Sequence, residues 1–595
     1  AGSREAAVGA ALRLSNAQEA DRTFRMAWNR ARVELHNLRL SPRDAALFQQ
    51  LAGRLLYTPP PKPERTEAIL ANRKGQSGLW PFGISGDRPI LLVLAGQPDQ
   101  IPFVTRLLTG HEYLRRIGIV FDLVLLIEAE EGRIRKMREM LERAVERGVD
   151  RMGAEPAGIR VLAAGELAGG DLTLLKAAAR LILHAGGPSL AAQLRLPRTE
   201  AELPPPLAAP GAANRGEAGG RGEPPGSGEA AERGKAAERG DAAESGGAAE
   251  RGDAAESGGA AEREDAPGPG PAEEPLRFPN GYGGFAPDGK SYRIVLKRGV
   301  RLPAPWINVL SNPEFGCLVS ELGTGYTWWR NSREFKLTPW TNDPLLDPPP
   351  EAAYLRDEEN GAVWTPAPPA EDEGRPAPPY AVTHGFGYTR FEHERGGVRS
   401  EMTVYVAPRD PVKFVRIKLA NRGSGERRLA LTYYAEWVLG VARAANAPHL
   451  VSSWDGGARI LTARNTYQES FQDATAFLGI FGETGSEGAE DGHPENDAAL
   501  SWTADQLEFI GRNRTAARPA ALERERLSCR TGIFHAPCGA VLRKITLPPG
   551  GERELCVLLG CGRSAEDAAR LARKYADPAA REEAWRETLD FWERT

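Results

Sequence analysis

A chain of 595 residues, 41% apolar and 26% charged, is too long for one hydrophobic core and implies about three domains. Its net charge of -4 is spread over 76 basic and 80 acidic residues, which leaves no basic face to neutralise a nucleic-acid backbone. Apolar runs such as ILLVLAG, from Ile90 to Gly96, fall far short of the roughly 20 residues that a membrane helix needs.

Five cysteines, Cys317, Cys529, Cys538, Cys556 and Cys561, form no C-x-x-C pair and have no histidine at finger spacing. This argues against a disulfide framework or a zinc site and makes a reducing compartment, the cytoplasm, the expected setting. No signal-peptide pattern opens the chain. It starts on Ala1 and not on Met, as a sequence does that begins inside a longer protein.

Residues 1–58 read as helical. ADRTFRMAWNRARVELHNLRL carries Phe24, Trp28, Val33, Leu35 and Leu38 near a 3.6-residue period, and SPRDAALFQQLAGRLL begins with a Ser-Pro entry signal. Residues 59–203 alternate strand-like and helical runs: ILLVL, the helix DQIPFVTRLLTGHEYLRRIG, FDLVLLIEA, the helix RIRKMREMLERAVERG, IRVLAAG and the helix DLTLLKAAARLILHAG. That rhythm predicts a small α/β module. Residues 204–277 hold almost no aromatic or large aliphatic side chain and repeat AAERGDAAESGG in succession, so they read as a disordered insert, a solvated linker.

After Phe278 the period becomes two. SYRIVLK, FGCLVSE, RSEMTVYVA, VKFVRIKLA and RRLALTYYAEWVLG predict many antiparallel strands, with Leu429, Leu431, Tyr433, Ala435 and Trp437 on one face. Residues 278–562 are therefore expected to form a large β-sandwich. Residues 563–595 are helical to the last residue, as in a chain interrupted inside a helical pattern.

The stretch GFAPDGKS, Gly284 to Ser291, matches the phosphate-binding pattern G-x-x-x-x-G-K-[ST] letter for letter. A working P-loop follows a buried strand and opens a helix. Here PLRFPNGYG precedes the motif, and YRIVLK, which alternates as a strand does, follows it. The motif therefore reads as a hairpin turn, and no nucleotide is expected there.

Between Trp306 and Tyr388 aromatic residues crowd among amides, guanidines and carboxylates, a mixture that suits the flat faces and hydroxyl rims of carbohydrate. Most of these rings are expected in the core. WWRNSREFKLTPWTND is too polar for a core strand and reads as an exposed functional loop.

The segments NGYGGFAPDGKSY, APWINVLSNPEFGCLVSELGTGYTWWRNSREFKLTPWTNDP, AYLRDEENGAVWTP, HGFGYTRFEHE, GRNRTAARPAAL and APCGAVLRKITLPPG resemble the β-supersandwich domain of glycoside hydrolase family 94. RVELHNLRLSPRDAALFQQLAGRLLY and NRKGQSGLWPFGISGDRPILLV resemble the segment that precedes it in the synthase and β-1,2-oligoglucan phosphorylase branch. The resemblance implies a galactose-mutarotase-like β-supersandwich, then linker helices and an (α/α)6 barrel. That barrel carries the general acid, and inorganic phosphate serves there as co-substrate.

No barrel follows Thr595, so no catalytic residue is assigned, nor any metal or other cofactor. The implied partner is a β-glucan or glucosyl oligosaccharide, with a homodimer possible and membrane association expected within a longer synthase. On the same resemblance Asn331, Ser332, Arg333, Trp340, Asn342 and Asp343 are candidates for a substrate rim, although NSRE and TND also suit turns. His384 is expected to be a packed or hydrogen-bonded histidine. The sequence favours the non-catalytic part of a phosphorylase or cyclic glucan synthase; the alternative is a stand-alone carbohydrate-binding or scaffold protein.

Overall fold

The computed structural model describes residues 3–15, 17–57, 60–152, 158–195, 203–207, 275–296, 301–343, 345, 347–369, 379–482 and 499–595. The repeats read as a disordered insert lie almost wholly outside them. Residues 203–207 are described: Leu207 N donates to Glu523 O at 2.9 Å and Glu525 N to Pro205 O at 3.1 Å, which ties this stretch to the sandwich.

Three helices open the described chain, Arg4–Leu14, Ala17–Asn37 and Pro42–Leu56. The third is started by a capping box between Ser41 and Asp44 and buries Phe48, Leu51 and Leu55 on one face. The second buries none of its residues. Of its apolar stripe only Leu35, with Leu38 beyond the helix end, reaches the core of the α/β module. Phe24, Trp28 and Val33 are exposed.

The module is a four-stranded parallel sheet in the order Ile159–Ala163, Asp122–Ile127, Ile90–Ala95, Leu181–His184. The first three strands lie where the apolar runs predict. The fourth corrects the reading of 171–186 as one helix, because the helix stops at Ala178 and Leu181–His184 pairs beside Ile90–Ala95. Leu181, Ile182 and Leu183 are buried on both faces of the sheet, and so short an apolar run carries no period to tell strand from helix.

The rest of the chain is antiparallel. A ten-stranded sheet runs Leu450–Asp455, Ile460–Asn465, Thr475–Phe481, Glu552–Gly562, Val412–Asn421, Val398–Val406, Tyr388–Arg395, Tyr380–Gly385, Ser291–Leu296, Gly283–Phe285. A five-stranded sheet runs Val363–Trp364, Glu351–Asp357, Arg427–Glu436, Pro537–Leu547, Leu500–Asp505. Ile307–Ser311, Phe315–Ser320 and Thr327–Trp329 form a third, small sheet.

Inward rows of these sheets meet in one core that contains Leu429, Leu431, Tyr433, Ala435 and Trp437, the face read from the period of two. Phe315, Trp329 and Phe335 lie in the same core. The helices Ala565–Ala576 and Pro578–Arg594 cover the outer face of the ten-stranded sheet, packing Leu571 and Tyr575 against Phe414 and Phe477. This is the multidomain β-supersandwich with helices at both ends that the sequence predicts.

GFAPDGKS is a turn between Gly283–Phe285 and Ser291–Leu296, with Gly289 at φ +73° and the Asp288 carboxylate accepting from Lys290 N at 3.0 Å. Lys290 Nζ lies 2.9 Å from Glu593, on the last helix. The five cysteines are free thiols. Among the described residues no helix is long and apolar enough to cross a membrane, and no cluster of His, Cys, Asp or Glu could hold a metal ion.

Candidate functional site

The polar loop at 330–343 is held as a hairpin. Trp329 N donates to Phe335 O at 3.1 Å, Leu337 N donates to Thr327 O at 2.8 Å, and Trp328 bridges Lys336. Arg330 turns the chain at φ +60° and lays its guanidinium 4.6 Å over the Trp329 ring. Asn331 shapes the turn, because its Oδ1 accepts from Arg333 N and Glu334 N, both at 2.9 Å. Arg333 stands in solvent, 3.6 Å from Glu334.

Trp340 is 42% exposed and stacks on Tyr326, with centroids 5.1 Å apart and planes 7° from parallel. Tyr326 meets Trp328 at 5.2 Å, and the Ser332 hydroxyl hydrogen-bonds its phenol. Asn342 takes a φ of +52°, and Asp343 Oδ1 accepts from Leu345 N at 3.0 Å. The structure thus joins Ser332 and Trp340 around Tyr326. Asn331, Asn342 and Asp343 shape backbone, and Arg333 touches neither ring.

Both roots of this loop are fastened to one buried carboxylate. Thr327 Oγ1 and Thr338 Oγ1 donate to Glu351 Oε1 at 2.7 and 2.6 Å. Lys413 Nζ and the Tyr433 hydroxyl donate to Oε2 at 2.8 and 2.9 Å. Burial alone would raise the Glu351 carboxyl, but the Lys413 ammonium and the hydroxyl donors outweigh it and hold the group below its usual range. Burial likewise opposes the Lys413 charge, and Glu351 more than restores it. Five groups from four segments therefore fix the base of the aromatic loop.

The sequence reading missed this node, yet a signal was present. Lys413 is in phase with Val415, Ile417 and Leu419, and Glu351 with Ala353 and Leu355, all of them core residues. A charge on the apolar parity of a strand needs a buried partner of opposite sign.

Beyond Trp340 the chain lines a cleft of about 940 Å³ with Leu345 and Pro349, opposite Glu436, Asp505, Arg514 and Arg530. Burial raises the carboxyl of Glu436, against the pull of Arg443. It raises that of Asp505 as well, although Asp505 caps Leu507 N at 3.0 Å and lies 3.5 Å from Arg530. Gln506 donates to the Tyr434 hydroxyl at 2.7 Å and accepts from Arg443 at 2.6 Å. Aromatic walls with a few fixed carboxylate, amide and guanidinium groups can bind hydroxyl-rich ligands. No sequence signal gathers these residues, since they come from distant segments.

His384 is packed, as expected: Nδ1 lies 3.0 Å from Thr389 Oγ1, and burial pulls the ring down to about 4.

Residues 290–578 match the model of the glycosyl hydrolase 94 supersandwich domain. The chain thus carries the supersandwich domain of glycosyl hydrolase family 94. It is 30% identical over 541 residues to the cyclic beta-(1,2)-glucan synthase NdvB of Rhizobium meliloti, covering 90% of this chain and 17% of that protein. It is 24% identical over 312 residues to the N,N'-diacetylchitobiose phosphorylase of Vibrio furnissii, and 25% identical over 305 residues to the solabiose phosphorylase of Paenibacillus borealis. Those matches cover 52% and 50% of this chain and 37% of each relative. The chain spans well under half the length of these curated relatives.

Proposed function

We propose that this chain is the non-catalytic, sugar-facing part of a β-glucan phosphorylase or cyclic β-1,2-glucan synthase. The loop at 330–343 would form the rim that receives the glucan. The observation that carries the reading is the half-exposed Trp340 ring, stacked flat on Tyr326, in a segment that goes on at Leu345 and Pro349 to line the cleft. A pyranose offers one apolar C–H face to such a ring and its hydroxyls to the groups around it. The Glu351 node supports this reading, because a rim must keep its geometry while ligand comes and goes. In the complete enzyme the barrel would supply the general acid, and inorganic phosphate would be the co-substrate.

The test has two parts. Incubated with phosphate and sophorose, laminaribiose or cellobiose, the chain alone should release no sugar phosphate; robust turnover would sink the non-catalytic assignment. By calorimetry with β-1,2-gluco-oligosaccharides, Trp340→Ala should bind about tenfold or more weakly, the loss of one stacking face. Equal affinities for wild type and variant would remove Trp340 from the rim. In a full-length relative, loss of the matching indole or of the guanidinium at Arg333 should impair turnover.

A further inference from the structure

The seam between the parallel-sheet module and the sandwich buries one guanidinium without a counter-charge among the described residues. Arg65, in the first turn of the helix Pro63–Ala71, is 4% exposed, and its Nε and Nη2 have no acceptor among the described residues. No other described side chain leaves two buried polar atoms unpartnered. These two N–H groups form the side-on edge of the guanidinium, parallel donors spaced for two oxygens of one oxyanion. His449 is equally buried, its Nδ1 has no partner among the described residues, and its ring stacks on Tyr467 at 4.3 Å.

Packing brings these groups together. Ala68, Ile69, Ala177 and Val451 form one apolar cluster across the seam. Arg65 stands one helical turn before Ile69, Arg180 just beyond Ala177, and His449 two residues before Val451. Burial and the nearby Arg180 charge pull Arg65 down to about 9, and burial with both arginines pulls His449 well below its ordinary value. Glu67, on the same helix as Arg65, is exposed, and two other acids nearby are engaged elsewhere. Glu64 holds Lys176 at 3.0 Å and His184 at 2.9 Å, and Asp171 holds Lys74 at 2.6 Å. A guanidinium that stays charged at neutral pH, out of water and without a carboxylate, is costly unless an anion joins it.

We infer that the seam is an oxyanion site. The side-on edge of Arg65 and a proton on His449 Nδ1 donate to one small tetrahedral anion of the phosphate class, and Arg180 adds charge. The bound anion holds the module against the sandwich. This site shares no residue with the loop at 330–343 and does not depend on its reading as a sugar rim.

The test is thermal unfolding of the whole chain with millimolar inorganic phosphate, against sodium chloride at matched ionic strength. This concentration lies below the range in which salts act by exclusion from protein surfaces. Wild type should show a saturable rise in Tm, sulfate should substitute for phosphate, and Arg65→Met should bind phosphate at least about 30-fold more weakly by calorimetry. A wild-type Tm that follows ionic strength alone overturns the inference, and so does an Arg65→Met protein that still responds. If Arg65→Met does not fold, Arg65→Lys decides the matter. It keeps the charge but loses the paired donors, so an undiminished phosphate response would reject the site.

Discussion

Two buried cations of this chain stand in opposite circumstances. Lys413, inside the sandwich, meets Glu351 at 2.8 Å, and the carboxylate is further satisfied by Thr327, Thr338 and Tyr433. Arg65, at the seam, feels the charge of another arginine, and two of its N–H groups have no acceptor among the described residues. Inside the sandwich the charge pair is complete, so its work is structural: it fixes the roots of a loop. At the seam the donors are left over, so their partner must come from outside the described residues. The degree to which a buried charge is satisfied separates framework from binding site.

Breaking the complete pair should have the largest effect. Glu351→Leu leaves the Lys413 ammonium buried and uncompensated, which costs about 3–5 kcal/mol of stability in urea unfolding. The double variant Glu351→Leu/Lys413→Met should recover most of that loss, since apolar residues of similar volume replace a buried pair at little cost. Arg65→Met in phosphate-free buffer should cost less than about 1 kcal/mol, or stabilise, because no partner is stranded. If Lys413→Met and Arg65→Met prove equally harmful, the contrast between the two sites is wrong.

Acid sharpens the comparison next. Burial pulls both His384 and His393 from an ordinary value of 6.5 down to about 4. The unfolded chain therefore takes up their protons first. The stability they contribute is full above pH 6.5 and is lost as pH falls towards 4, by up to about 3 kcal/mol for each ring. Urea midpoints at pH 7, 5.5 and 4.5 should fall steadily, and His393→Gln should flatten that slope by up to one proton. The Glu351 carboxyl, held below its usual range by Lys413 and the hydroxyl donors, stays charged at pH 5.5, where the loss from the histidines has already begun.

How far the sequence reveals this molecule depends on how local each signal is. The row Leu429, Leu431, Tyr433, Ala435, Trp437 announces its strand and its buried face, because a period of two belongs to one segment. The turn at GFAPDGKS is legible from the strand-like alternation after it. Leu181–His184 was hidden, because a strand buried on both faces has no alternation to show. Phe24 and Trp28 keep a helical period although their helix buries nothing, so period alone did not reveal contact. At the candidate site the sequence marks the polar loop, but only coordinates separate the stacked Trp340 from Asn331, which serves the backbone. The cleft stayed out of sight because Glu436, Asp505 and Arg530 converge only through sheet pairing and loop packing.

A smaller effect belongs to the N-terminal side of the seam. Ser41 accepts from Asp44 N at 3.2 Å, and Asp44 in turn accepts from Ser41 N at 3.2 Å, which closes the capping box of Pro42–Leu56. Ser41→Ala should lower stability by about 1 kcal/mol, measured by urea unfolding. The phosphate response of the seam should stay as it is, because the cap touches neither Arg65 nor His449. A lost response would mean that the seam depends on the order of the whole module and not on its own donors.

The smallest effect on stability should come from the residue with the most to say about function. Trp340 gives one face to Tyr326 and leaves much of the other to water, so Trp340→Ala removes a contact at the edge of the fold and opens no cavity in the core. The change in stability should be below about 1 kcal/mol, the range of a single aromatic pair. Glucan affinity should fall far more than stability does. Glu351→Gln is the useful counterpart: it leaves the indole in place but weakens the charge-assisted bonds that hold both roots of its loop. A fall in affinity in both variants, with stability lost mainly in Glu351→Gln, would show that the loop must be held as well as present. If Glu351→Gln loses stability but binds glucan as wild type does, the node serves the core alone, and the stacked rings hold their own geometry.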